Sequence, residues 1–143
     1  FQRDTYSGVP ASRRAAETAY DRAGVRPEDL DFAEVHDCFA IAELMAYADL
    51  GLCEPAEAGE FVASGDTRRD GEMPVNTSGG LKSKGHPIGA TGAGQVVEAF
   101  EQLSGEAGER QLEDPVRGLT HNVGGSGGAA VVHVLERERE VGA

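Results

Sequence analysis

The stretch Asn76-Thr77-Ser78-Gly79-Gly80-Leu81-Lys82-Ser83-Lys84-Gly85-His86-Pro87-Ile88-Gly89-Ala90-Thr91-Gly92-Ala93-Gly94 sets one histidine between a glycine and a proline, at the entrance to a predicted helix. Gly85 lets backbone approach a neighbour closely, and Pro87 stiffens the loop. An imidazole held in this way suits proton transfer near neutral pH, or hydrogen bonding to a developing oxyanion. The competing reading is a turn histidine that only caps the helix.

Working outward, helical spacing predicts a helix over residues 90–103 with Val96, Val97, Phe100 and Leu103 inward. Beyond a polar connection, residues 119–123 predict a strand that breaks into the glycine run 124–128. Residues 129–135 form a near-continuous apolar run, the pattern of a strand buried on both faces. Upstream, residues 54–73 are acidic and glycine-rich, a loop with room for one short helix. Residues 40–50 predict a helix with Ile41, Leu44, Met45 and Ala48 on one face, closed by Gly51. Residues 32–35 predict a short strand running into His36-Asp37-Cys38-Phe39. Pro10 opens a first helix at the position where a missing N–H costs nothing. Ala15, Ala16, Ala19, Tyr20 and Ala23 line its apolar stripe, and Gly24 ends it. Residues 1–9 read as an arm, 10–136 as the domain, and 137–143 as a charged, frayed tail.

Helices alternating with short strands indicate an α/β layered fold. The histidine-bearing loops 36–39, 85–87 and 121–128 each lie at or beside a strand end. Ligands of open α/β sheets collect outside the carboxyl ends of strands, so these segments are expected to meet at one site.

The 143 residues suffice for one domain with a core. A net charge of -12 argues against nucleic acid as a partner. Lys82 and Lys84 are the only lysines; abundant acids, Gly and Ala indicate a salt-adapted source. No apolar run approaches the roughly 18 residues of a membrane span, and no leader pattern opens the chain. The expected location is cytoplasmic, with no membrane partner. Cys38 and Cys53 are too few for a disulfide framework, and no metal-ligand spacing occurs, so no metal is expected. No phosphate-loop motif is present.

His36 and Cys38 would share a face if the preceding strand continued through them. A cysteine beside a histidine can serve as acid, base or nucleophile; the bland alternative is a buried core thiol. His121 precedes glycines whose N–H groups can form half of an oxyanion hole, unless the run is simply a hairpin turn. His133, inside the last strand, reads as structural.

Together these residues resemble the C-terminal domain of thiolases, closest to the sterol-carrier-protein-type and archaeal acetyl-CoA acetyltransferase branch. His36-Asp37-Cys38-Phe39 looks like that branch's HDCF motif, which stands where other thiolases carry NEAF. Residues 85–92 look like the family's GHP loop, and His121-Asn122-Val123-Gly124-Gly125 like its terminal loop. Pro10-Ala11-Ser12-Arg13 and Asn76-Thr77-Ser78-Gly79-Gly80 match as well. The likeness covers residues 7–135.

The resemblance implies a thiolase-like half, with helices layered on a mixed sheet that lacks its first strand, one the family places centrally. It implies His86 as general base toward a nucleophilic cysteine, and Cys38 as acid/base in the Claisen step. His36 would position a water in the first oxyanion hole. His121, Gly124 and Gly125 would form an active-site loop, with backbone N–H near Gly124 serving the second oxyanion hole. Asn76, Ser78, Gly79 and Gly80 would form a substrate-binding loop. The substrate would be a coenzyme A thioester, with no further cofactor. The nucleophilic cysteine belongs to the other thiolase half, so this chain alone is expected to be inactive and to need that half as partner. Homo-oligomers and a small zinc-ribbon/OB-fold partner are also implied. A non-catalytic interaction module of the same fold is the alternative.

Overall fold

The computed structural model describes residues 8–138. The expectations for residues 1–7 and 139–143 lie outside the described residues. Helix α1 spans Pro10–Ala23, with Pro10 in its first turn. It ends where Gly24 turns left-handed (φ 67°) and returns its N–H to the Tyr20 carbonyl. Strand β1 is Phe32–Glu34, helix α2 is Ala40–Asp49 and helix α3 is Ala58–Ala63. Helix α4 is Gly80–Lys84 and helix α5 is Thr91–Ser104. Strands β2 (Arg117–Gly124) and β3 (Ala129–Glu136) form an antiparallel hairpin.

The sheet runs β1-β2-β3, with β1 parallel to β2. On the far side of β1, Ala33 bridges Val75 in parallel, through Ala33 N–H to Pro74 O and Asn76 N–H to Ala33 O. Side chains alternate across the sheet, so each strand feeds two cores. Ala33 and Leu119 meet Ala16 of α1 and Ala46, Tyr47 and Leu50 around α2. Phe32 faces the other way, onto Ala99, Leu103 and Leu112. Helices therefore cover both faces of a mixed sheet, the α/β layering expected.

Several details differ from the sequence reading. β1 and β2 are directly hydrogen-bonded, so the central position expected for a missing first strand is not open between them. A further strand would join outside, beyond Val75 or along β3, whose far edge is unpaired among the described residues. β3 is not buried on both faces. It is the edge strand, and Val131 is 52% exposed. On α5 the inward face is largely polar: Gln95, Glu98, Ala99 and Gln102 are buried, whereas Val97 and Phe100 are 54% and 61% exposed. Glu98 is paired with Arg110, and Gln102 bonds the Arg110 carbonyl and the Leu112 N–H. Buried polar groups that find such partners are tolerated inside. On α2 the core residues are Ala46 and Tyr47, with Leu44 packed beside them, while Ile41 stands exposed. β1 stops at Glu34, before Val35.

α4 has no apolar periodicity to announce it. It forms because the buried Asp37 carboxylate accepts the Leu81 N–H at 2.9 Å. Gly80 (φ 65°) lies so close to that carboxylate that a side chain there would strike it.

Candidate active site

His36 emerges just past the end of β1 and is buried. His86 stands on the exposed loop between α4 and α5. Their rings meet edge to face, centroids 5.0 Å apart. Burial, and then the neighbouring His86, push the His36 pKa below its ordinary value. His86 Nδ1 lies 2.7 Å from the Thr91 hydroxyl, which also reaches the Pro87 carbonyl at 3.3 Å. The first turn of α5 thus grips its own entry loop.

Cys38 carries a free, half-buried thiol. It lines a cavity of about 240 Å³ with Ser12, His36, Met45, His121 and Gly125. Four of the expected site residues thus share one space, although β1 ends too early for strand alternation to set His36 and Cys38 on one face. His121 is 2% exposed, with Nε2 at 2.8 Å from Ser12 Oγ. Its Nδ1 has no hydrogen-bond partner among the described residues. Burial, reinforced by nearby His36, pushes its pKa down to about 4, so the ring is neutral at pH 7.

The glycine run is the β2–β3 hairpin turn. Gly124 closes β2 opposite Ala129, and Gly125 takes a left-handed conformation (φ 58°). Gly124 is not among the residues lining the cavity.

Asn76, Ser78, Gly79 and Gly80 also lie outside that lining. Their hydrogen bonds pin the loop to β1. Asn76 Oδ1 accepts the Val35 N–H at 2.8 Å, and its Nδ2 donates to Glu43 at 3.0 Å. Ser78 donates its N–H and hydroxyl to the buried Glu34 carboxylate, which Lys84 also approaches. Burial raises the Glu34 pKa despite these donors.

Sequence reasoning missed two residues here. Asn122 Nδ2 lies 3.3 Å from His36 Nδ1 and 3.3 Å from Gln95 Oε1. Asn122 lies within the His121–Gly125 motif, where its residue type alone implies no role. The available signal for Gln95 was a polar residue on a helix face packed against β2.

Residues 1–137 match the family described as thiolase C-terminal domain-like. The chain belongs to this family. An acetyl-CoA acetyltransferase of Methanothermobacter thermautotrophicus is 50% identical over 129 residues, 90% of this chain and 34% of that protein. Bovine sterol carrier protein 2 is 48% identical over 125 residues, covering 87% of this chain and 23% of its own. Among solved structures, one titled Ltp2-ChsH2(DUF35) aldolase superposes with a TM-score of 0.84 at 25% identity, covering 99% of this chain and 35% of that one. The chain thus spans about a third or less of the relatives it matches. No described helix is long and apolar enough to cross a membrane. No described group of three or more His, Cys, Asp or Glu is placed to hold a metal ion.

Proposed function

We propose that this chain supplies the proton-transfer side of a thiolase-type acyl transfer. The reaction is thiolytic cleavage of a 3-ketoacyl-CoA, or condensation of two acetyl-CoA. The observation that carries the reading is the meeting of His36 and His86 edge to face, beside a cavity that Cys38 and His121 share. Among thiolase-family chains this set is what acyl transfer needs: a base, a second acid/base and hydrogen-bond donors.

His86 is the general base. The Thr91 hydroxyl proton turned to the Pro87 carbonyl leaves an oxygen lone pair for His86 Nδ1–H, so the base is Nε2. It activates a cysteine nucleophile contributed from the thiolase half outside this domain. Cys38 removes or returns the α-proton of the second acyl group. His36 holds a water or thioester oxygen. Backbone N–H groups near Gly124 and Gly125 receive the other oxyanion, and Asn76, Ser78, Gly79 and Gly80 support the coenzyme A side.

Phe39 (71% exposed) and Ile41 (63%) line the cavity, and Ile88 (94%) stands two residues after His86 on the same exposed loop. Such an apolar margin fits a covered surface, here the other thiolase half. A homo-oligomer and a zinc-ribbon/OB-fold partner complete the assembly proposed.

The test is thiolysis of acetoacetyl-CoA by the full-length protein, followed in His86→Ala and Cys38→Ser. Each folded variant should lose about 10²- to 10⁴-fold in kcat. Wild-type rates in both would refute the assignment. A separately made domain without the nucleophile should show no turnover.

A further inference from the structure

We propose that Asn122, oriented by Gln95, is a positioning residue that holds His36 with its ring proton on Nε2. The proposal rests on the thiolase reading only for the use made of that proton.

The orientation follows from one fixed point. A backbone carbonyl accepts and never donates. The His121 carbonyl on β2 lies 2.9 Å from Gln95 Nε2, so the Gln95 amide nitrogen faces it. Gln95 Oε1 is then the end that lies 3.3 Å from the Asn122 side-chain amide. Only a donor fits against that oxygen, so Asn122 presents Nδ2. The same Nδ2 lies 3.3 Å from His36 Nδ1. One NH₂ group has two protons, and here it has two acceptors. A donor facing Nδ1 requires a lone pair on Nδ1. A neutral imidazole carries one N–H, so that proton sits on Nε2. The opposite tautomer would set N–H against N–H.

The two ends of the relay are buried, Gln95 at 1% and His36 at 6% exposed, and Asn122 between them is half-buried. Its parts come from α5, β2 and the loop after β1, so it exists only in the folded chain. Its consequence is a division of labour between two touching imidazoles. His36 is fixed as a hydrogen-bond donor, the property an oxyanion or bound water requires. It is thereby unsuited to act as the base, a role left to His86.

The experiment is NMR of the full-length protein with ¹⁵N-labelled histidine at neutral pH. The His36 signals are assigned by their loss in His36→Gln. Wild type should show a lone-pair-type Nδ1 and a proton-bearing Nε2. Asn122→Asp replaces the donor with an acceptor, so the proton should move to Nδ1 or both nitrogens should be protonated. The same variant should lose about 10²-fold in kcat for thiolysis with KM little changed. A wild-type proton on Nδ1 overturns the proposal without any variant having to fold. An unchanged pattern in folded Asn122→Asp overturns it equally. The expected tautomers with no thiolysis by wild type would uphold the relay and refute the proposed function. The wrong tautomer with active wild type would do the reverse.

Discussion

His121 makes a sharp prediction because its ring is buried, neutral and only half satisfied. Folding lowers its pKa from an ordinary 6.5 to about 4. Between those values the unfolded chain binds the proton and the folded chain does not. Stability therefore falls as pH falls through this window, and the contribution is fully present only above the unfolded value. Integrated from about pH 7 to about pH 4, the loss is about 3 kcal/mol, on the order of 10²-fold in the unfolding constant. His121→Gln removes the titration while its amide end still reaches Ser12. The variant should pay a modest packing cost at neutral pH but escape the acid-dependent loss. The assay is urea unfolding of both proteins across the window. His36, also depressed by burial, remains in both and largely cancels in the difference. Stability curves that stay parallel from about pH 7 to about pH 4 would refute the reasoning, because a neutral buried His121 requires them to converge.

Three further substitutions probe how the site is held. Gly118→Ala would drive a Cβ into the fully buried Phe32 ring, with Cε1 at 2.6 Å, and should cost about 1–3 kcal/mol in unfolding experiments; an unshifted midpoint would contradict the packing. Gln102→Leu keeps the volume but strands the Leu112 N–H and the Arg110 carbonyl, for about 2–4 kcal/mol. A neutral result would mean that water reaches those groups. Asp37→Ala removes the acceptor for Leu81 N–H and should cost about 1 kcal/mol. Hydrogen exchange should quicken through α4 while the middle of α5 stays protected, and uniform protection would count against the cap.

Local signals in the chain were read correctly where the physics is local. Pro10 and Gly24 bracket α1, and Gly51 follows the end of α2 in a left-handed turn (φ 74°), because φ restrictions belong to the residue itself. The GHP loop lies at the mouth of α5 as expected. On α5 Leu103 is inward as expected, but Val97 and Phe100 are not, because apolar periodicity assumes that polar residues seek water. Glu98 and Gln102 instead find partners in residues 110–112, which no helical window contains. The apolar run of β3 likewise hid its place at the sheet edge, since one strand's composition does not say how many neighbours it has.

The site divides in the same way. His36, Cys38, His86 and His121 were legible as residue types in loops that punctuate strands and helices. The sequence by itself determined the family, the order of the main helices and strands other than α4, and the identity of these side chains, because motif chemistry and backbone preference are encoded over a few neighbouring residues. Only the tertiary structure decided that His36 faces His86, that the Asp37 carboxylate meets the start of α4, and that Gln95 and Asn122 link His36 to a carbonyl on β2. Those arrangements join atoms far apart in the chain, and a hydrogen bond is specified by where its two ends finally lie.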